Sequence, residues 1–274
     1  MIANLSRRTA TNNDRSTHAF GVLKTPDVEI VSVWLDVPAG VSAACWHVLS
    51  RDERQRAERF RFVEHRQRYV VARASLRRLL AERLRVDPRA IELVENSYGK
   101  PKLAPVHGSV GLEFNLSHSE ALAVYAFTTG SAVGVDVEMI RHVPDADDLA
   151  ESFFSPRETA ALRALPPDQR SLAFLACWTR KEAFIKALGL GLSFPLDAFD
   201  VTIEPDAAAR ITRVDARIGH IENWRMQAFT PYPSYTAAVV YSASGSAKSG
   251  MKEMHSQRYA SDPGRFSQGR MCAQ

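Results

Sequence analysis

Stretches of alternating apolar residues and stretches of helical periodicity follow one another in the same order twice along this chain. The first series begins with an alternating stretch at 28–37, which predicts a strand, and continues with helices and a two-stranded hairpin. The second begins with an alternating stretch at 132–140 and continues with further strands and a long helix, from about Asp168 to Leu188. This order predicts an α+β fold made of two pseudo-symmetric halves that meet near Ser131.

Capping signals mark several of the predicted helix ends. Ser50-Arg-Asp-Glu53 and Ser155-Pro-Arg-Glu158 both have the spacing of a capping box, in which each side chain accepts a hydrogen bond from the other residue's backbone amide. Gly189 follows the last periodic residue of the long helix and is expected to end it.

Both ends of the chain lack periodicity. Residues 1–26 are polar, and the residues after the last predicted strand are rich in serine, glycine and arginine. We therefore expect a disordered lead at 1–26, an N-terminal half at 27–130, a C-terminal half at 131–242 that carries the metal site, and a disordered tail at 243–274.

Composition excludes several classes of protein. No stretch approaches the roughly 20 apolar residues that span a membrane, and the N-terminus lacks the apolar core of a secretory signal. The three cysteines are far apart, which argues against disulfide or zinc chemistry. We expect a cytoplasmic protein that binds no membrane.

Positive charge is concentrated in one region, although the net charge of the whole chain is only +4. The segment between Arg51 and Arg85 contains 12 arginines and 5 acidic residues. Such a region predicts an anionic partner, and charge alone leaves open a nucleic acid, a phosphorylated small molecule or an acidic protein.

The segment Gly134-Val-Asp-Val-Glu138 places two carboxylates on one face of a predicted strand. Asp136 and Glu138 would stand roughly 7 Å apart, and their repulsion would cost about 2 kcal/mol at an effective dielectric of about 20. A bound Mg²⁺ would reverse that cost, because this ion prefers hard oxygen ligands. Taken alone, the pattern is more typical of a half-exposed strand with ordinary surface acids.

Two further segments carry chemistry. In Trp178-Thr-Arg-Lys-Glu-Ala-Phe-Ile-Lys186, Glu182 and Lys186 lie one helical turn apart; they could supply a third metal ligand and a phosphate contact, or form a surface ion pair worth about 0.2–0.5 kcal/mol. In Phe114-Asn-Leu-Ser-His-Ser119, Ser117 and His118 could hold a phosphate at a strand end, although a lone histidine is more often structural. A lysine-bearing turn lies just upstream at 99–102, and it lacks the Walker pattern.

In their order and spacing, these four segments together resemble the Sfp-type 4′-phosphopantetheinyl transferase family. The family hallmarks are a GKP turn, FNxSHS, G(V/I)D(V/I)E and W(S/T)xKEAxxKxxGxGL. They stand here as GKP from Gly99, FNLSHS from Phe114, GVDVE from Gly134 and WTRKEAFIKALGLGL from Trp178. The resemblance covers about residues 28–241. It implies two pseudo-symmetric α+β halves with coenzyme A bound in the cleft between them.

The resemblance also implies an activity and a set of roles. The enzyme would move the phosphopantetheine arm of coenzyme A onto a serine of an acyl or peptidyl carrier protein and release 3′,5′-ADP. Asp136, Glu138 and Glu182 would ligate Mg²⁺, with Mn²⁺ as the alternative ion. Glu182 is the candidate base, directly or through a metal-bound water, and Lys186 and His118 complete the catalytic set. The residues expected to bind coenzyme A are Arg56, Arg68, Lys100, Ser117, His118, Asp136 and Lys186.

Two other functions are compatible with parts of the sequence. A nucleic-acid-binding module would use the arginine-rich helices, but would leave the acidic strand and the KEA helix unexplained. Another Mg²⁺-dependent phosphotransferase would use the same acids, although the chain lacks a Walker A loop and the kinase glycine-rich signature. We expect a monomer that binds coenzyme A and a carrier protein, and no nucleic acid.

Overall fold

The computed structural model describes residues 19–191, 194–215 and 220–243. We call residues 19–130 the N-terminal half and residues 131–243 the C-terminal half. Along the N-terminal half the strands and helices are β1 (Ala19–Lys24), β2 (Glu29–Trp34), α1 (Ala39–Trp46), α2 (Arg51–Glu58), α3 (Val63–Leu84), β3 (Leu93–Glu95), β4 (Pro101–Leu103), β5 (Leu112–Ser119) and β6 (Leu122–Thr129).

The C-terminal half continues with β7 (Val133–Met139), α4 (Ala146–Phe153), α5 (Pro156–Ala164), α6 (Pro167–Leu188), β8 (Phe199–Val201), β9 (Ile211–Val214), β10 (Trp224–Phe229) and β11 (Tyr235–Ser242). Each half has an antiparallel main sheet, in the order β1-β2-β6-β5 in the first and β10-β11-β7 in the second. The predicted α+β class is confirmed. Within the described ranges, no helix is both long and apolar enough to cross a bilayer.

The period-two alternation of the strands separates the two faces of each sheet. On β6, Ala123, Tyr125 and Phe127 face the layer of α1, α2 and α3, whereas the intervening apolar residues face the second sheet. On β11, Ala238 and Val240 likewise face α6, and their neighbours along the strand pack between the sheets. The molecule therefore has four layers, helix–sheet–sheet–helix, with an apolar core between each adjacent pair.

The helix ends form as their sequences predict. Ser50 and Glu53 make both bonds of a capping box at the start of α2, and Ser155 and Glu158 do the same at the start of α5. Helix α6 ends at Gly189, whose φ of 71° is the left-handed conformation that suits glycine.

The predicted disordered lead at 1–26 is wrong over its last residues, and residues 1–18 lie outside the described part of the chain. Ala19–Lys24 forms β1, which pairs with β2 from Ala19↔Val33 to Lys24↔Glu29. A strand at the edge of a sheet gains backbone hydrogen bonds from its neighbour without needing a clear apolar alternation of its own. The predicted tail at 243–274 lies outside the described residues from residue 244 onward.

Strand β7 packs directly on the backbone of α6. A Cβ atom added at Gly134 would overlap the carbonyl oxygen of Ala183 and the amide nitrogen of Ala187, and would lie 2.8 Å from the carbonyl carbon of Lys186. Only glycine allows this approach, which brings Asp136, two residues on and on the same face of β7, within reach of the side chains of α6.

We expect Gly134→Ala to lower the free energy of unfolding by about 3 kcal/mol or more, because the overlapping atoms belong to a backbone that cannot rotate away. The measurement is urea unfolding of the purified protein. Gly40→Ala in α1 is the control, since a Cβ there meets nothing within 4 Å and alanine favours a helix by about 1 kcal/mol. Equal stability of the two variants would contradict the close contact.

Candidate active site

The two carboxylates of the acidic strand are buried between β7 and α6. Asp136 is 3% exposed and Glu138 is 8% exposed, which excludes the interpretation of this segment as a half-exposed surface strand. Val135 and Val137 alternate with them and pack between the two sheets. Burial of two acids in one place is costly unless each finds a compensating partner.

Lys186 supplies one such partner from the last turns of α6. Its Nζ donates to Asp136 Oδ1 at 2.6 Å and to Ser117 Oγ at 3.0 Å. Ser117 Oγ in turn donates to the same Asp136 oxygen at 2.7 Å. The three side chains come from α6, β5 and β7, so this cluster joins both halves of the molecule.

Glu182 lies one turn before Lys186 and is also buried. Burial raises the pKa of Glu182 to about 7; the positive charge of Lys186 opposes the rise, and the negative charges of Asp136 and Glu138 add to it. Its Oε1 and the Oδ2 of Asp136 are buried and have no hydrogen-bond partner in the described chain. The charges of the three carboxylates therefore act on one another, and two of their buried oxygen atoms accept no hydrogen bond.

No group of three or more His, Cys, Asp or Glu side chains within the described ranges is placed to hold a metal ion as these side chains stand. The Lys186 ammonium occupies the position beside Asp136 Oδ1. The unpaired buried oxygens of Asp136 and Glu182 are nevertheless the hard donors that Mg²⁺ takes. Ligation of a metal by Asp136, Glu138 and Glu182 therefore stays a prediction.

Three polar side chains of β5 join it to β7. The Oδ1 of Asn115 accepts from Val135 N–H at 2.8 Å, and Ser117 donates to Asp136. Ser119 Oγ donates to Glu138 Oε2 at 2.8 Å and accepts from Met139 N–H at 3.1 Å. No role was predicted for Asn115 or Ser119 from the sequence. Their period-two spacing with Ser117 was the available signal, because all three lie on one face of β5.

The lysine of the GKP turn has a buried ammonium group. Lys100 Nζ donates to the carbonyl oxygen of Lys186 at 2.6 Å and to that of Val133 at 2.8 Å. Burial lowers the pKa of Lys100 to about 8. The structure thus directs Lys100 to backbone carbonyls, and the predicted phosphate contact is not what its ammonium makes here.

Comparison with known proteins gives the family of this chain. Two family models match consecutive parts of the chain: the 4′-phosphopantetheinyl transferase N-terminal model over residues 34–130, and the 4′-phosphopantetheinyl transferase superfamily model over residues 132–240. The chain belongs to this superfamily. The predicted membership is confirmed, and with it the main predicted function, that of a 4′-phosphopantetheinyl transferase.

Among its relatives is the 4′-phosphopantetheinyl transferase HetI of a Nostoc species, 35% identical over 223 residues, which are 81% of this chain and 91% of HetI. A 4′-phosphopantetheinyl transferase of Bacillus subtilis is 33% identical over 69% of this chain and 82% of its own length. The 4′-phosphopantetheinyl transferase Sfp of Bacillus subtilis is 30% identical over 61% of this chain and 72% of its own length.

Part of the KEA helix of this phosphopantetheinyl transferase is structural. Lys181 is fully buried, and its Nζ lies 2.7 Å from Glu158 Oε2 while donating to the carbonyls of Leu196 and Phe199. Glu158 also accepts from Val201 N–H at 2.7 Å. These contacts attach α6 to α5 and β8, on the side of the helix away from Asp136.

Arg68 was expected to bind coenzyme A, and the structure gives it other partners. Its guanidinium makes two bonds to Asp36, at 2.7 and 2.9 Å, and further contacts to Glu64 at 2.7 Å and Glu120 at 3.1 Å. The hydrogen bonds to Asp36 raise the pKa of Arg68 above its ordinary value. Three carboxylates already neutralise this cation, so it joins the start of α3 to β2 and the β5–β6 turn.

Arg56 and His118 are accessible. The Arg56 side chain is 61% exposed and lies 4.0 Å from Glu95, at the far limit of an ion pair. His118 is exposed near the end of β5, and strand alternation places it on the face opposite Ser117. The predicted contacts of both residues with coenzyme A therefore stay predictions, made by side chains that solvent reaches.

We expect Glu182→Gln to stabilise the metal-free transferase at pH 8. The folded state holds the Glu182 proton up to a pKa of about 7, whereas the ordinary value is 4.5. Its contribution to stability is therefore complete below pH 4.5 and lost as the pH rises through 7, by up to about 3 kcal/mol.

Chemical unfolding in EDTA at pH 5 and pH 8 measures this effect. The loss of stability between the two pH values should be smaller for Glu182→Gln than for the wild type. Glu58→Gln, at an exposed position of α2, is the control and should keep the wild-type dependence. An identical pH dependence in all three proteins would contradict the raised pKa.

Proposed function

We propose that this enzyme transfers the phosphopantetheine arm of coenzyme A to a serine of an acyl or peptidyl carrier protein in a Mg²⁺-dependent reaction. The observation that supports this most is the cluster at the β5–β7–α6 junction. It combines a lysine held between Asp136 and Ser117 with the buried, partly unpaired carboxylate of Glu182. Such a cluster offers both a cation for phosphate and oxygen ligands for a metal.

Asp136, Glu138 and Glu182 would hold the Mg²⁺, with Mn²⁺ as an alternative. When bound, the ion would neutralise charge on the pyrophosphate of coenzyme A. The free oxygens of Asp136 and Glu182 support this assignment, as does the electrostatic contact among the three acids. Ser119 would hold Glu138 through the hydrogen bond to its Oε2 and so fix one of the three carboxylates.

In the reaction, the carrier serine oxygen forms a bond to the β-phosphorus of coenzyme A. The bond from that phosphorus to the bridging oxygen breaks, and the electron pair leaves with 3′,5′-ADP. Glu182 would accept the serine proton as the general base. Lys186 stabilises the charge that develops on the leaving phosphate, because positioning and electrostatics dominate phosphoryl-type transfer.

The other assigned residues divide into two groups. We assign Ser117, His118 and Arg56 to the phosphates of coenzyme A, since Ser117 already binds Lys186 and the other two are exposed. Arg68 and Lys100 instead bind protein groups: Arg68 binds Asp36, and Lys100 binds two backbone carbonyls. The arginines of α2 and α3 would attract an acidic carrier protein by long-range electrostatics.

We further propose a cytoplasmic, monomeric enzyme, consistent with the buried free thiols of Cys45 and Cys177.

The test is the intact mass of an apo carrier protein after incubation with the enzyme, coenzyme A and Mg²⁺. We expect a gain of one phosphopantetheine, lost in EDTA and reduced about 100-fold or more in rate by Asp136→Asn, which removes the negative charge that binds Lys186 at 2.6 Å. Asp206→Asn is the matched control at an exposed position and should keep the wild-type rate. No mass gain with any of several carriers would contradict the transfer, and full activity in EDTA would contradict the metal.

A further inference from the structure

We infer that Ser119, the last residue of β5, makes the metal site of this enzyme select Mg²⁺ over Ca²⁺ by restricting Glu138 to one ligating oxygen. This inference rests on the proposed function, because it takes Asp136, Glu138 and Glu182 as the metal ligands. Ser119 is on this account a positioning residue, which acts on the ion through the carboxylate that it binds.

The two ions differ in the oxygen ligands that they need. Mg²⁺ demands near-ideal octahedral coordination, whereas Ca²⁺ takes roughly six to eight oxygens and often binds both oxygens of one carboxylate. A site in which each carboxylate can offer only one oxygen therefore favours Mg²⁺, and a site in which the carboxylates can turn favours Ca²⁺. The groups that hold each carboxylate thus influence which ion is bound.

Ser119 holds Glu138 by one of its two oxygens. Ser119 Oγ donates to Glu138 Oε2 at 2.8 Å and accepts from Met139 N–H at 3.1 Å. Because a hydroxyl has a single proton to donate, these two partners together fix its orientation. To bind an ion as a pair, both carboxylate oxygens must turn toward it, and the bond to Ser119 directs Oε2 toward β5 instead. Glu138 can then offer an ion at most its Oε1.

The other acid of β7 is held in the same manner. Ser117 Oγ donates to Asp136 Oδ1 at 2.7 Å, and Lys186 Nζ donates to the same oxygen at 2.6 Å. The second oxygen, Oδ2, is buried and has no hydrogen-bond partner in the described chain. Ser117 and Ser119 lie on one face of β5. One strand therefore engages one oxygen on each of the two acids.

The backbone that carries these acids is also fixed. Strand β7 pairs with β11, with Asp136 opposite Ala238 and Glu138 opposite Thr236. Both acidic side chains are buried, which leaves their carboxylates little room to turn. Ca²⁺ sites are more flexible than Mg²⁺ sites. The rigidity of the strand and the bonds from the serines therefore both favour Mg²⁺.

Two other roles for Ser119 predict different results. If Ser119 only supports the fold of the site, its removal should weaken the binding of both ions by the same factor, and the ratio of their dissociation constants should stay constant. If Ser119 has no role, both constants should stay as they are in the wild type. Only selectivity changes the ratio, because release of Oε2 adds a ligand for Ca²⁺ while Mg²⁺ loses an oriented one.

The experiment measures the dissociation constants of Mg²⁺ and of Ca²⁺ by isothermal titration calorimetry. Saturating coenzyme A is present and carrier protein is left out, so that no transfer occurs. For Ser119→Ala we expect the affinity for Mg²⁺ to fall by about 10-fold and the affinity for Ca²⁺ to hold or rise, which shifts the ratio of the two constants by about 10-fold or more. An unchanged ratio, or a wild type that binds Ca²⁺ as tightly as Mg²⁺, would overturn the inference.

Two further variants at the same position test the hydroxyl itself. Ser119→Thr keeps the donor and should retain the wild-type ratio. Ser119→Val has nearly the shape of the threonine variant without the hydroxyl, and should shift the ratio as Ser119→Ala does. If Ser119→Ala does not fold, the comparison of the threonine and valine variants decides the question.

Ser171→Ala is the matched control. Ser171 Oγ also accepts from a backbone amide, that of Val143 at 3.0 Å, but its side-chain neighbour is His142 and not a carboxylate. This variant should match the wild type for both ions. Failure of the wild type to bind either ion would refute the proposed metal site as well. A preference for Mg²⁺ that persists unchanged in Ser119→Ala and Ser119→Val would refute the role of Ser119 alone.

Discussion

Strand β7 and helix α6 approach so closely at Gly134 that no side chain fits between their backbones. This contact determines the positions of the site residues, because it brings the acids on one face of β7 next to the residues on one face of α6. Lys186 then reaches Asp136 at 2.6 Å, and Glu182 becomes buried beside two other carboxylates. The raised pKa of Glu182 and the unpaired oxygens at the site both follow from this packing. Burial of three carboxylates together lowers the stability of the folded protein. A site of this kind persists only where the surrounding structure holds it in place.

Local patterns predicted several of the strands and helices and singled out the acidic strand and the helix that carries Glu182 and Lys186. The alternation around β7, the capping boxes at Ser50 and Ser155, and the helical spacing of Glu182 and Lys186 are all encoded within a few residues of sequence. The membership of the family was carried by four such segments in order. In contrast, β1 was missed because its stability comes from the neighbouring strand β2 and not from a periodicity of its own.

The partners of charged side chains could not be predicted in this way. The family resemblance assigned Lys100 and Arg68 to coenzyme A, and no partner was predicted for Lys181. In the structure Lys100 binds two carbonyls, Lys181 pairs with Glu158, and Arg68 is surrounded by carboxylates. These hydrogen-bond partners are distant in sequence. Lys186 is 86 residues from Lys100, Asp36 is 32 residues from Arg68, and Phe199 is 18 residues from Lys181. Only the fold brings them together, so a short motif cannot distinguish a cation that holds the protein from one that holds the substrate.

The sheets of the two halves are connected by residues 130–132, between the end of β6 and the start of β7. A link of this length keeps the two strand ends within roughly 14 Å of each other even when fully extended. The edge strands β5 and β7 therefore meet at a high effective concentration, and little chain entropy is lost when they associate. Side-chain bonds such as that of Asn115 to Val135, each worth about 1 kcal/mol, then add to the apolar core that packs between the two sheets. The relative position of the two halves consequently depends on chain connectivity and on this core more than on any one hydrogen bond between them.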